Sequence, residues 1–366
     1  MRHLTNISKF PALFEKRLRN FADELRFVIY ILLSISLSNT VTYGGEDDSL
    51  SHRLFKDRVV LFTDVGFHSA PFSIKDKYNL GVDKLKFKNN IKVALGFGFA
   101  YRWFALRVGF ALPGNIRSEK KFGNTDYFDI GLKFNIKQTF CNIDFRSYSG
   151  YAIKDAYKWN DTLDSETPND IRPSTRSASV SANVWWFLSK DFKMKAVMGT
   201  TGHFTRESKT WYFKTTLNFF GVANDHGPLI PYELADTSDR QRANTVGAFD
   251  LGLIPGYAYG NRINNWQFSI FAGLGGVIQS KYYSKGDLTR SFIGIAPRID
   301  LKLIAGYSKP KFFILVATDF DIKSVAIQDL TYNQSFYNIK LIGGVRLHTK
   351  KSRKKEATTN DQAWYN

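Results

Sequence analysis

The sequence has little cysteine and almost no long apolar runs. Cys141 is the one cysteine among 366 residues, so no disulfide can form within the chain and no four-cysteine or Cys/His zinc site can be built. The mean hydropathy of −0.27 is too polar for a bundle of membrane helices. A hydrophobic content of 43% and an aromatic content of 16% are too high for a disordered chain.

The single pronounced apolar run, Phe27–Leu37, is shorter than the ~20 residues of a spanning helix. Basic side chains precede it and small polar ones follow, which is the order of a secretory signal. We expect a signal peptide over 1–44, cleaved between Ser38 and Gly45, then a periplasmic lead-in over 45–57. An uncleaved, anchoring N-terminus is the alternative.

Most of the remaining chain alternates between large apolar residues and small or polar ones. In Lys92–Tyr101, for example, Val93, Leu95, Phe97 and Phe99 point one way, while Lys92 and the intervening glycines and alanines point the other. This period of two is typical of a β-strand whose faces meet different surroundings. Similar alternation recurs at 127–137, 293–303 and 337–347.

Two architectures produce such strands, a soluble sandwich and a transmembrane barrel. Strands of about 11 residues at ~3.3 Å per residue, tilted by ~40°, span roughly 28 Å, close to the apolar band of an outer membrane. The polar face is rich in glycine and alanine, which suits a crowded lumen. We therefore predict an all-β protein, a single antiparallel transmembrane β-barrel over 58–348 with about 12 strands (10 or 14 as alternatives), and a basic periplasmic tail over 349–366.

The strand count depends on loop lengths. Thirteen segments look like strands, among them one that starts near Phe192 and one at Trp211–Phe220, but bacterial single-chain barrels have an even number. Tight connections at 102, 138–139, 189–191, 260–264 and 308–310 are assigned to the periplasm. Long ones at 69–90, 113–126, 151–177, 279–291 and 322–335 are assigned to the outside. Alternation then assigns Trp211–Phe220 to a large outside loop, 203–245, which leaves twelve strands.

With these residues identified, the chain resembles a family of uncharacterised bacterial outer-membrane barrel proteins defined as a domain of unknown function. The resemblance runs from about Arg58 to His348. It is clearest in the glycine-alternating strand Leu95–Arg102 and the returning strand Phe104–Leu112, which ends at Pro113 and Gly114. The resemblance implies an outer-membrane location and a barrel fold, and no catalytic residue.

The sequence does not assemble a catalytic or metal site. The six histidines do not combine with serine and aspartate at one level of the barrel, so we predict no enzyme activity, no cofactor and no metal. Alternation instead directs a set of charges into the lumen. The candidates are Lys92, Arg107, Asp129, Lys133, Lys137, Asp144, Arg146, Lys193, Lys195, Asp250, Arg298, Asp300, Lys302, Lys340 and Arg346, with Asp64, Asp319 and Asp321 as further carboxylates.

These charges have two interpretations. They can attract small anionic solutes into a narrow pore, or they can pair with one another and fill the lumen, leaving a structural or assembly barrel whose outside loops bind a partner. A soluble lipid-binding barrel is a third alternative. The expected partners are outer-membrane lipid, the barrel-assembly machinery during insertion, and possible small anionic solutes or another envelope protein. Nucleic acid is not expected, despite the net charge of +18.

Overall fold

The computed structural model describes residues 51–349. The expected signal peptide 1–44 lies outside this range, as does the expected tail except for Thr349. The described chain forms sixteen strands: β1 (His52–Leu54), β2 (Arg58–Ser69), β3 (Phe72–Lys75), β4 (Lys84–Lys88), β5 (Lys92–Tyr101), β6 (Phe104–Ala111), β7 (Asp126–Ile136), β8 (Thr139–Ile153), β9 (Asp170–Phe187), β10 (Gly202–Phe204), β11 (Ser208–Asn224), β12 (Thr245–Ile263), β13 (Trp266–Lys285), β14 (Leu288–Ser308), β15 (Phe312–Ile327) and β16 (Leu330–His348).

Helix is limited to short turns. Two α-helical turns span Glu119–Phe122 and Met194–Val197, and two 3-10 turns span Asn79–Gly81 and Ala156–Lys158. Within residues 51–349 none of these is long and apolar enough to cross a membrane.

Twelve of the strands close into one antiparallel ring, in the order β2, β5, β6, β7, β8, β9, β11, β12, β13, β14, β15, β16 and back to β2. Where its strands pair, the ring satisfies the backbone groups that lipid cannot. Its outside carries the large apolar side chains of the alternating pattern, such as Phe97, Ile270 and Leu341, which are 54%, 39% and 48% exposed. A face this apolar requires lipid rather than bulk water.

The ends of the ring differ, and the difference orients the barrel. Residues 58 and 348 lie at one end, together with two-residue turns after β5, β7 and β12 and a short turn after β14. Outward aromatic side chains cluster there, including Trp211 against Tyr257 (ring centroids 5.2 Å apart) and Trp266 against Tyr307 (5.5 Å). Short turns mark this as the periplasmic end, and the aromatic girdle marks the membrane interface there. Most of the long connections lie at the other, outer end.

The predicted number of twelve strands is confirmed, but one of the twelve was misidentified. Trp211–Phe220 was expected in an outside loop, and it lies instead in β11, which pairs with β9 and β12 along its length. The segment near Phe192, expected to be a strand, is excluded from the ring because Trp186 of β9 already pairs with Phe213 of β11. Residues 188–207 form a periplasmic insert rather than a tight turn.

Two other expected loops were wrong for a related reason. The segments 279–291 and 322–335 were expected to be long outside connections. In the structure the strands continue through them and turn over two residues each, at Gly286-Asp287 and Gln328-Asp329. Gly286 and Gln328 open these turns with φ of 57° and 52°. Polar side chains on the extended strands were mistaken for loop residues.

Candidate functional site

The periplasmic end of the lumen is filled by the insert 188–207, which we call the plug. Its apolar residues Phe192, Met194, Ala196 and Val197 are all buried. Phe192 packs among rings from the wall, with its centroid 5.0 Å from that of Phe187 and 6.0 Å from that of Phe271. The plug thus completes an apolar cluster with inward residues of the ring strands.

The plug is held by both ends of the described chain. On one side, β1 pairs antiparallel with β10, His52 opposite Phe204. On the other side, the Arg346 guanidinium of β16 donates hydrogen bonds to the backbone carbonyls of Thr200 (2.7 Å) and Gly199. The same guanidinium lies between the rings of Phe55 and Phe313, 4.6 and 4.7 Å from their centroids. Arg346 therefore fastens the plug and does not line an open channel.

The outer end is closed by a second structure, which we call the lid. It consists of the hairpin β3–β4 and the segment 225–244. The hairpin bridges the barrel wall, because β3 pairs with β16 and β4 with β8 above the shorter strands β5 and β6.

The lid is apolar inside and polar at its rim. Leu229, Ile230 and Leu234 are buried and pack with the hairpin residues and Tyr332 in one cluster. Arg240 pairs with Asp76 across the two parts of the lid, with Nε 3.1 Å from Oδ2. The lid therefore closes the lumen from the outside as the plug does from the periplasm.

Between the plug and the lid the lumen is polar, and its charges form pairs. Five ion pairs join residues on the strands β8 to β15: Lys214 with Asp300 (2.9 Å), Lys302 with Asp319 (2.9 Å), Lys323 with Asp321 (3.4 Å), Arg146 with Asp144 (3.9 Å), and Arg298 with Asp250. Asp300 also accepts hydrogen bonds from Trp185 Nε1 and Tyr212. A cavity of about 60 Å³ remains in this region, room for a few water molecules.

A separate charged triad lies on the other side of the lumen. Arg107 of β6 reaches across β5 to donate two hydrogen bonds to Asp64 of β2, at 2.5 and 2.7 Å, and it also donates to Asp129 of β7. A Cβ atom at Gly96, which lies between the strands, would stand 2.5 Å from both Arg107 Nη2 and Asp64 Oδ2. The glycine alternation of this strand therefore leaves space for the ion pair.

The structure places twelve of the fifteen candidate lumen residues inward on ring strands. These are Lys92, Arg107, Asp129, Lys133, Asp144, Arg146, Asp250, Arg298, Asp300, Lys302, Lys340 and Arg346. The other three lie off the strands. Lys137 is exposed in a two-residue turn with φ of 50°, and Lys193 and Lys195 lie in the plug.

Sequence reasoning missed two lumen cations, Lys214 and Lys323, because both fell in segments assigned to outside loops. The sequence did contain the evidence for them. Each lysine lies an even number of positions from residues of its strand that point into the lumen, so the alternating pattern places it on the same face. Within residues 51–349, no group of three or more His, Cys, Asp or Glu side chains could hold a metal ion.

His203 is a titratable group of the plug whose pKa is strongly shifted. Burial lowers the pKa of His203 in β10 to about 3, and the positive charges of Arg262, Arg346 and Arg53 act in the same direction. His203 packs against Phe55, with ring centroids 5.2 Å apart. The imidazole is therefore neutral at neutral pH.

The closed ring, the apolar exterior and the aromatic girdle together identify an outer-membrane β-barrel in contact with lipid. No curated protein matches the chain. Among solved structures, the chain is similar to the outer membrane protease OmpT from Escherichia coli, with 7% identity, 81% of this chain and 98% of that chain covered, and a TM-score of 0.34. It is also similar to the COG4313 outer membrane channel from Pseudomonas putida F1, with 10% identity, 82% and 100% covered, and a TM-score of 0.31.

A third similarity is to the transport unit of the autotransporter AIDA-I from Escherichia coli, with 10% identity, 84% of this chain and 96% of that chain covered, and a TM-score of 0.31. At these values the similarities carry no argument about activity. The family assignment rests on a stronger match, which spans residues 48–347. The chain belongs to the family described as Domain of unknown function (DUF4421).

Proposed function

We propose that the protein is a closed outer-membrane barrel, not a standing diffusion pore for small anions. The observation that supports this proposal is the plug, whose buried apolar residues fill the periplasmic end of the lumen. The lid closes the other end, and five ion pairs neutralise most of the charge that would select ions in a pore. In this proposal the lumen charges hold the barrel together, and passage along the barrel axis requires displacement of both the plug and the lid.

The test is single-channel conductance of the detergent-purified protein in a planar bilayer, after heat-modifiable gel mobility has shown that the barrel is folded. We expect the wild-type protein to be silent. Leu234→Asp, which places a charge in the apolar interior of the lid, is introduced first, because the lid would otherwise keep the barrel closed. In that background Arg346→Gln removes the guanidinium that binds the plug carbonyls, and Phe192→Asp places a charge in the apolar cluster, so both double variants should show discrete conductance steps.

Lys190→Gln is the matched control, since Lys190 lies in the same insert but is exposed, and it should remain silent. Steady conductance of the wild-type protein would contradict the proposal. So would a folded double variant, Phe192→Asp with Leu234→Asp, that stays as silent as the control, because the plug would then not be what closes the periplasmic end.

A second candidate function follows from the lid. The segment 225–244 and the hairpin β3–β4 present a folded surface at the outer end, and an envelope or extracellular partner could bind there. Co-purification of a partner from cross-linked cells, lost when the exposed lid residue Tyr232 is changed to Ser, would favour this role.

A further inference from the structure

The barrel wall is incomplete between β14 and β15. These strands pair from Ser308 opposite Phe313 to Leu301 opposite Phe320, and the pairing ends there. Above that point β14 continues with β13 through Leu288–Asp300, while β15 continues with β16 through Asp321–Ile327. The two strands thus leave a gap in the outer half of the wall, which we call the seam.

The residues of the seam explain why pairing stops. If the register continued, Asp300 would face Asp321 and Arg298 would face Lys323. Like charges directly opposite each other destabilise a strand pair. Each of these charges is instead paired elsewhere, Asp300 with Lys214 and Arg298 with Asp250.

Pro297, the next residue of β14, adds a second reason. It has no N–H to offer a partner strand, and proline is normally confined to edge strands or bulges. It lies at the start of the stretch that has no β15 neighbour.

The open seam is also stabilised by hydrogen bonds from within the lumen. Gln279 of β13 donates to the Ser324 carbonyl at 3.0 Å, and Lys281 donates to the Ala326 carbonyl at 2.8 Å. Ser324 and Ala326 lie on the part of β15 that β14 leaves unpaired. Side chains therefore satisfy backbone groups that lipid would leave without a partner.

The seam begins at the depth of the membrane. The eight paired residues of β14 rise roughly 20 Å from the periplasmic end, at ~3.3 Å per residue and a tilt of ~40°, whereas the apolar band is ~25 Å tall. Beside the seam, Ile293 and Ile295 of β14 point outward and are each 84% exposed. The β14 edge of the seam is thus apolar at these two positions.

The lumen cavity lies at the point where the strands separate. Its lining includes the inward residues Lys302 and Asp319 and also the outward residues Ile299, Leu301 and Phe320. The cavity therefore reaches the strand backbone of the wall at the place where β14 and β15 part. A ligand there would meet charge on one side and hydrocarbon on the other.

The net charge of the lumen favours an anion. In addition to the five ion pairs and the triad, Lys133 of β7 and Lys340 of β16 point into the lumen. Within the described chain no carboxylate lies at ion-pair distance from either of them. The lining of the cavity is itself balanced, with four cations and four carboxylates. Over the lumen between the plug and the lid, the charges named above, including Lys92 and the triad, comprise nine cations and seven carboxylates.

We propose that the seam is a lateral portal for a membrane-partitioned amphiphile with a small anionic headgroup. The headgroup enters the cavity beside Lys302, and the hydrocarbon chain stays between β14 and β15 in the plane of the outer leaflet. The inference adds a ligand class to the closed barrel and depends on the proposed function only in that the plug and the lid block the axial routes.

The first test is a fluorescence titration of the purified barrel with 11-(dansylamino)undecanoate, with decanoate and decanol as competitors. We expect saturable binding and displacement by decanoate at a concentration at least tenfold lower than by decanol. Lys302→Gln should weaken the displacement by decanoate about tenfold or more, since a charge-assisted hydrogen bond is lost. Lys84→Gln, in the exposed part of the lid hairpin, is the control and should bind as the wild type does.

The second test closes the seam without changing the composition of the chain. Asp321→Lys combined with Lys323→Asp puts a cation opposite Asp300 and a carboxylate opposite Arg298, so the strands can pair further. This variant should lose saturable binding. In a Cys141→Ser background, the pair Ile299→Cys and Ile322→Cys should form a disulfide readily in the seam-closing variant and poorly in the wild-type sequence.

Three results would overturn the proposal. One is a folded wild-type barrel without saturable binding, above all if Ile293→Cys cross-links two molecules, which would assign the β14 edge to a second copy. Another is equal displacement by decanoate and decanol. The third is a seam-closing variant that forms the disulfide and still binds. The conductance experiment on the plug can fail or succeed independently of all three.

Discussion

The triad of Arg107, Asp64 and Asp129 provides the sharpest test of whether the lumen charges hold the barrel together. Arg107→Met removes the one cation from a site in which both carboxylates are buried, with Asp64 1% and Asp129 5% exposed. Removing one partner of a buried ion pair typically costs about 3–5 kcal/mol, because the remaining charge is left without compensation. Here two carboxylates lose their partner, so we expect at least that range.

The assay is urea unfolding of the refolded barrel in detergent micelles, followed by tryptophan fluorescence and heat-modifiable mobility. With an m-value of about 3 kcal/mol/M, a loss of about 3–5 kcal/mol lowers the midpoint by roughly 1–2 M. Arg176→Met is the control, because the Arg176 side chain is 55% exposed in its pair with Asp225. An exposed pair contributes about 0–1 kcal/mol.

A rescue separates lost charge compensation from lost packing. Adding Asp64→Asn and Asp129→Asn to Arg107→Met removes both unpaired charges, and we expect the triple variant to recover more than half of the lost stability. Our reasoning would be refuted if Arg107→Met unfolded at the wild-type urea concentration. It would equally be refuted if the triple variant were no more stable than Arg107→Met alone.

Two further predictions concern Gly96 and His203. Gly96→Ala should destabilise the barrel by about 1–3 kcal/mol, since the added Cβ forces the Arg107 guanidinium from its place, whereas Gly343→Ala, whose added Cβ would have no atom within 4 Å, should be neutral in the same urea assay. The plug should loosen as the pH falls from about 6.5 toward 3, because His203 binds a proton when the plug is released but not when it is seated. Bilayer recordings of the Leu234→Asp variant, whose lid is opened, should show openings between pH 7 and pH 4 that increase with acidity and that adding His203→Gln suppresses. An unchanged acid response after that addition would assign the effect to another group.

The sequence by itself determined the type of fold, the exterior and most of the lumen. Successive side chains of a β-strand point to opposite faces, so every second residue shares a face. The inward position of Lys92, Arg107 or Asp300 and the outward position of Phe97 therefore follow from the chain alone. The number of ring strands followed from the rule that bacterial barrels have an even number of strands. That rule limits how many of the thirteen candidate segments belong to the ring, but it does not say which of them do. For that reason twelve was correct although Trp211–Phe220 was wrongly removed.

Only the tertiary structure decided what the lumen contains and where the wall opens. The alternation of Phe192, Met194 and Ala196 suits a strand as well as a plug, and the choice depends on whether a neighbouring edge is free. Since β9 and β11 already pair with each other, the segment folds into the lumen. The seam has the same origin, because no charge on β14 or β15 is unfavourable until the register sets Asp300 against Asp321. Local alternation fixes the face of each residue, whereas pairing between distant strands fixes its neighbours.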